Sequence, residues 1–334
     1  MNQRRAPRRN VPRERSRSRP LTDKEQRGLS SMTSEAPSAT VHQGDCLSVL
    51  PTLVSGGARF DLIYVDPPYN AGGKRGARVE QGERVHGPTA YEDHWGGRDA
   101  FISMLRPRLA EMRAALSSVG SLWVHLDHRT VHETKVLLDE IFGPQSFQGE
   151  VIWVPGNGGR KRRGLSVTHQ TILVYSKTRD FIYNIHDPEL REPYAETSQR
   201  MHFTQTDPSG RRYRERTLGG KTYRYFLDEG RQRGSVWTDI PAMSANTPLR
   251  RETTGYPTQK PVALLERIIK AASKPESLVL DPMCGSGTTL FAALRLGRNC
   301  VGIDQSPLAC QITTRRIREF STAGREEVHS GEAP

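Results

Sequence analysis

Four residues at the end of an apolar run carry the first sign of chemistry: Asp66, Pro67, Pro68 and Tyr69, in the stretch YVDPPYNAGG. The run before them, FDLIYV at 60–65, reads as a buried strand. Proline has no N–H and a restricted φ, so the Asp66 carboxylate and the Pro67 carbonyl stand as preorganised acceptors with no donor between them. Tyr69 adds a ring on which a flat group can stack. Together they suit an NH2 group that must be held still. Taken alone, Asp66 also fits a structural acid closing a turn, but the prolines, the ring and the second unit of the chain weigh against that.

That second unit is LVLDPMCGSGTTLFAALRLGRNCVGID, residues 278–304. A strand ending in Asp281 runs into the turn Gly285-Ser286-Gly287. A helix of small and apolar residues follows, then a strand ending in Asp304. This is a nucleotide-type βαβ unit. Its glycines let a ligand approach the backbone, and Asp304, 19 residues past Gly285, has the spacing of an acid that binds ribose hydroxyls. A dinucleotide site carries a third glycine where this chain has Leu290, and Asp281 would repel a pyrophosphate. The same carboxylate suits an ammonium. S-adenosylmethionine offers an ammonium, a sulfonium and a ribose without phosphate, so the acidic turn favours it. GGKT at 219–222 is not a P-loop, because Glu215 stands where the leading glycine belongs.

These groups need a scaffold, and the hydrophobic pattern supplies one. Strands are expected at 39–43, 60–65, 120–126, 149–154, 170–175, 277–280 and 299–303. Phe101, Met104, Leu105, Leu109, Met112 and Leu116 recur at helical intervals over 99–117, and further helices are expected at 130–142 and 261–272. Strands alternating with helices predict an open α/β sheet, mostly parallel and covered on both faces. Residues 178–250 break the rhythm: they are polar, rich in arginine and interleaved with aromatics (YRERTLGGKTYRYF), and read as an insertion. Residues 1–37 are rich in Arg, Pro and Ser and are expected to be a disordered basic tail, with Met32 as an alternative start. A flexible tail is expected over 321–334. The core divides into a catalytic half, 38–177, and a ligand-binding half, 251–320.

The net charge of +12 is segregated. Residues 1–20 hold eight arginines and one glutamate, and residues 156–260 hold 19 Lys/Arg against 11 Asp/Glu. Basic surfaces of this kind suit a polyanion, although charge by itself is equally consistent with a solvated face. Arg160, Lys161, Arg162 and Arg163, in a connection between two expected strands, favour phosphate contact; Arg211, Arg212 and Arg214 are candidates on equal terms with a basic subdomain. No apolar run reaches the length of a membrane span, and no secretory segment is expected. The four cysteines form no CxxC pair, so no metal and no disulfide framework are expected and a cytoplasmic setting fits. Cys284 reads as a packing residue, and His125 and His128 as structural groups.

DPPY at 66–69, YPTQKP at 256–261 and DPMCGSGTT at 281–289 together resemble motifs IV, X and I of DNA amino-methyltransferases, in the order of the circularly permuted β class. The resemblance runs from about residue 40 to 318 and includes GDCL, GSLWVHLD and HQTILVYSK. It implies a Rossmann-like methyltransferase fold with one antiparallel strand, a target-recognition region over 178–250, and methyl transfer from S-adenosylmethionine to double-stranded DNA. The implied acceptor is N6 of a flipped adenine, since DPPY in this family leans that way, with N4 of cytosine as the alternative. RNA or protein-amide methylation and a non-catalytic binding module stand as rivals. Asp66, Pro67, Pro68 and Tyr69 are the implied catalytic residues. Asp281, Cys284, Gly285 and Gly287 are placed by resemblance at the methionine part of the cofactor, with Thr258 and Lys260 near its carboxylate. Asp304 is then at the ribose and Asp45 at the adenine amino group. Met283 replaces the family's usual Phe. A homodimer is also implied.

Overall fold

The computed structural model describes residues 36–68, 74–76, 89–92, 96–156, 161–243, 249 and 252–329; residues 1–35 of the expected N-terminal tail, Tyr69 and Arg160 lie outside them. The chain enters through β1 (Ala39–Gln43), α1 (Cys46–Ser55) and β2 (Phe60–Val65), followed by the short strands β3 (Lys74–Gly76) and β4 (Thr89–Glu92). Next come α2 (Arg98–Ala115), β5 (Leu116–Leu126), α3 (Val131–Phe142), β6 (Phe147–Trp153) and β7 (Gln170–Ser176). The arginine-rich segment contains β8 (Arg191–Glu192), α4 (Glu196–His202), β9 (Gln205–Thr206), β10 (Arg212–Leu218), β11 (Lys221–Phe226), β12 (Arg231–Gln232) and β13 (Val236–Trp237). The chain closes with α5 (Val262–Ala272), β14 (Leu278–Asp281), α6 (Thr288–Arg295), β15 (Asn299–Asp304) and α7 (Pro307–His329).

Eight strands form the main sheet in the order β1-β15-β14-β2-β5-β7-β6-β13. All adjacent pairs are parallel except those made by β7, which is antiparallel to both β5 and β6. Period-two alternation divides the apolar residues between two cores. Leu62, Tyr64, Trp123, Ile172, Val174 and Val279 face one, with Leu265, Ile268 and Ile269 of α5 and Leu290 of α6. Ile63, Val65, Leu122, Val124, Leu173 and Leu280 face the other, against Leu50 of α1, Phe101 and Leu105 of α2 and Leu137 of α3.

The structure adds to the sequence expectation and corrects it: Leu116, expected at the end of a helix, opens β5. Helix α1 forms despite Pro51, because the Asp45 side chain accepts from the Leu47 N–H at 3.0 Å and caps the first turn. The last helix continues past 320, the expected end of the core, to His329; Ala, Arg and Glu beyond Phe320 are good helix formers. The arginine-rich segment also returns to the main sheet, since β13 pairs with β6. Trp153 ties them together by donating to the Ile240 carbonyl at 2.8 Å. No helix among the described residues is long and apolar enough to cross a membrane.

Candidate active site

Strands β15, β14 and β2 are neighbours in the sheet, and an acid closes or directly follows each: Asp304, Asp281 and Asp66. The chain leaves β14 through α6 toward β15 and leaves β2 through α2 toward β5. The crossovers therefore diverge, on opposite faces, and open a crevice at the carboxyl ends of β14 and β2. A cavity of about 450 Å³ occupies it, lined among others by Asp66, Pro67, Pro68, Thr258, Lys260, Asp281, Met283, Cys284, Gly285 and Asp304. Stretches separated by almost 200 residues in sequence thus share one space.

Asp281 is 4 % exposed, accepts from Thr289 Oγ1 at 2.5 Å and the Met283 N–H at 3.2 Å, and burial pushes its carboxyl up to about 7. Asp304 accepts from the Gly285 and Ser306 N–H groups, both at 2.8 Å, and burial raises its carboxyl too. The turn between them is tight. Gly287 caps α6 at φ 71°, and a Cβ there would lie 2.5 Å from Cγ2 of Thr313. Thr313 Oγ1 donates to the Gly285 carbonyl at 3.0 Å, and Arg316 donates to Thr288 Oγ1 at 3.1 Å. Burial drives the Cys284 thiol well above its ordinary range, which leaves it a packing group rather than a nucleophile.

The TQKP stretch enters on a strained backbone, with Thr258 at φ 61°. Gln259 holds the bend by accepting from the Thr254 N–H at 2.9 Å and donating to the Glu252 carbonyl at 2.7 Å. Lys260 donates to Asp66 Oδ2, in an ion pair whose side chains are 8 % and 19 % exposed. The expectation placed Lys260 near a ligand carboxylate; the structure assigns its ammonium to the Asp66 carboxylate. Behind Asp66 lies a buried network. Gln170 Oε1 can only accept, so His125 Nε2 carries the proton of that 2.7 Å bond, and Nδ1 accepts from the Tyr64 hydroxyl at 2.8 Å. Burial lowers the His125 imidazole to about 3, so it is neutral, in keeping with a structural group.

Other sequence expectations need revision. The Asp45 carboxylate caps α1 and pairs with Arg108 at 2.6 Å, and its neighbours Gly44 and Cys46, rather than Asp45 itself, line the cavity. Arg211 pairs with Asp228 and Glu229, and Arg212 donates to the Phe203 and Gln199 carbonyls. Arg214 stacks its guanidinium near Tyr194, Phe203 and Tyr225. These three arginines hold the basic segment together. Lys161, Arg162 and Arg163 are exposed. The Tyr64–His125–Gln170 network, Gln259 and Arg316 were not legible as site residues; His125 and Gln170, at facing ends of adjacent expected strands, held the only signal.

Sheet order, divergent crossovers and acid-lined crevice define a Rossmann-like α/β protein of the methyltransferase class. The chain belongs to the N6/N4 DNA methylase family, whose model, described as DNA methylase, matches residues 60–315. It is 29 % identical over 309 residues to the Type II methyltransferase M.EcaI of Enterobacter cloacae, covering 80 % of this chain and 67 % of that one. It is 27 % identical over 271 residues to the Type II methyltransferase M1.MboII of Moraxella bovis, covering 80 % and 91 %. Among solved structures, the M1.HpyAVI–SAM complex superposes with a TM-score of 0.51 at 18 % identity, covering 84 % of this chain and 98 % of that one. The cytosine-N4-specific PvuII DNA methyltransferase gives 0.52 at 15 %, covering 85 % and 89 %. The protein is a site-specific DNA methyltransferase that uses S-adenosylmethionine.

Proposed function

We propose that the protein methylates the exocyclic N6 amine of an adenine turned out of double-stranded DNA. The observation that carries this reading is the placement of Asp66 and Pro67 at the end of β2, across one cavity from the buried Asp281 turn. The cavity fits S-adenosylmethionine: burial penalises the bare Asp281 carboxylate, so a cation that takes the place of its proton compensates that charge, and the glycine turn admits a ligand against the backbone. Asp281 would hold the ammonium and Asp304 the ribose. When bound, the cofactor supplies an electrophilic methyl on a sulfonium.

The chain's own residues do the rest. An exocyclic amine is a poor nucleophile because its lone pair is delocalised into the ring. Asp66 and the Pro67 carbonyl accept its N–H bonds and concentrate electron density on nitrogen, and Asp66 is the nearest base for the proton that the alkylated amine must lose. Tyr69 contributes a stacking surface of about 1–3 kcal/mol, which offsets much of the few kcal/mol that extrusion costs. Asp at position 66 supports adenine over cytosine through the DPPY lean of the family, since either amine can use the same acceptors.

Residues 178–250 form the target-recognition region on this reading. In the β10–β11 hairpin, Arg224 pairs with Glu215 on one side, whereas Arg216, Lys221 and Tyr223 are exposed on the other near the tip. A two-stranded ribbon of that kind fits a major groove. A homodimer belongs to the same reading by family resemblance. A cytoplasmic setting is supported by four buried, unpaired cysteines.

The test is incubation with S-adenosylmethionine and unmethylated genomic DNA, digestion to nucleosides and mass spectrometry, with Asp66→Ala as control. N6-methyladenine from the intact protein alone is expected. N4-methylcytosine would keep the chemistry and replace the base. A protein that binds cofactor but methylates no DNA would redirect the search to RNA or protein amides.

A further inference from the structure

We propose that Leu165 is the residue that enters the base stack where the target base leaves it. The proposal rests on the reading of the protein as a methylase of paired DNA.

Leu165 is 91 % exposed, while no other exposed large apolar side chain among the described residues exceeds 66 %. It directly follows the bend of a short turn. The Lys161 N–H donates to Ser166 Oγ at 3.1 Å and closes the turn, and Gly164 bends it at φ 81°. Lys161, Arg162 and Arg163 precede it and are all exposed. An apolar tip on a cationic turn suits a surface that is anionic outside and apolar between its layers, which describes a DNA duplex. A protein partner or a second copy would require a larger apolar patch than one side chain.

The turn also belongs to a connection that leaves the sheet at the edge carrying Asp66. It joins β6 to β7, and β6 runs in the same sense as β2, so the chain leaves β6 at the sheet edge that carries Asp66. Three strand spacings separate β6 from β2, roughly 14 Å between the strands themselves. The connection re-enters the sheet at Gln170, which bonds His125, which bonds Tyr64, two residues before Asp66. The base of the turn is thereby anchored to the strand that presents the acceptors. Cations on the turn hold the flanking phosphates, and the leucine occupies the vacated layer and keeps the base from returning.

The experiment uses full-length protein and duplexes carrying the site mapped from plasmid DNA methylated by the wild type. One duplex is fully paired; a second has a mismatch opposite the target base, which makes extrusion easier. A third carries 2-aminopurine at the target position and reports unstacking by fluorescence. Leu165→Ala is expected to slow methylation of the paired duplex by roughly 10- to 100-fold, the equivalent of one buried leucine side chain, and to suppress the fluorescence rise. The mismatch is expected to recover most of the lost rate, and Leu165→Met to retain activity on both duplexes. Binding of S-adenosylmethionine by Leu165→Ala controls for folding. A variant as fast as wild type on paired DNA overturns the proposal, even if its oligomeric mass changes. A variant slowed equally on paired and mismatched DNA also overturns it, since the leucine would then be a general contact. Wild-type protein that methylates no DNA removes the underlying reading and this proposal together, and is distinguished because the wild type itself is silent.

Discussion

Lys260, in the loop before α5, donates to Asp66 at the end of β2, across 194 residues of chain. The contact joins the two halves of the core at the carboxylate proposed to receive the target amine, which places the lysine on Asp66 as well as in the cavity lining.

Removing it should therefore appear in the chemical step. Lys260→Met is expected to lower the single-turnover rate at saturating S-adenosylmethionine by about tenfold or more, through loss of an oriented charge. Cofactor affinity measured by calorimetry should change far less, and Lys260→Arg should recover part of the rate. An unchanged single-turnover rate with weakened cofactor binding would return Lys260 to the cofactor carboxylate.

Asp281 predicts a pH dependence of binding. Without ligand its carboxyl keeps a proton up to about 7, and a cation must displace that proton. Affinity for S-adenosylmethionine should fall as pH drops below about 7, by up to about tenfold per unit. Titration calorimetry across that range, in buffers of different ionisation enthalpy, would reveal the released proton; Asp281→Asn should bind weakly and without that slope. For the ligand-free fold the sign reverses. A folded-state pKa above the unfolded 3.8 means that the native state holds the extra proton, so this group's stabilisation is present at low pH and is lost as pH rises toward 7. Thermal melts of Asp281→Asn, compared with wild type on both sides of that window, isolate this contribution.

Gly287 is the position in the turn least able to carry a side chain. Alanine would adopt φ 71° at a cost of roughly 1–2 kcal/mol and would press its Cβ on Thr313, the residue that holds the Gly285 carbonyl. Gly287→Ala should shift the start of α6 and lose cofactor affinity well beyond its effect on thermal stability. Equal affinity in equilibrium dialysis would contradict this account.

The arginines of the basic segment divide by partner. Arg216→Ala with Lys221→Ala should weaken DNA binding and reduce the slope of log K against log salt by about two. Arg211→Ala should leave that slope nearly unchanged, because its guanidinium serves Asp228 and Glu229. Fluorescence anisotropy across a salt series separates the two.

Much of this was legible in the chain. The strand at 60–65 falls where its dense run of apolar, β-branched and aromatic residues placed it, because a strand buried on both faces leaves that mark in local composition. The acids Asp66, Asp281 and Asp304 were legible as well, since each follows such a run and the sheet gathers strand ends at one edge. Helix α1 was not, because Pro51 argues locally against it and only the Asp45 cap and the packing of Leu50 outweigh that.

What sequence determined was the type and order of the pieces, because propensity, periodicity and turn chemistry act over a few residues. Tertiary structure alone decided the partners. Lys260 could reach Asp66 only once β14 and β2 lay side by side. Sequence alone left Arg211, Arg212 and Arg214 even between DNA contact and a basic subdomain, until folding gave them internal partners, while Lys161, Arg162 and Arg163 stayed exposed. A charge carries no local record of what it will face; that is fixed by distances that exist only after the chain has closed.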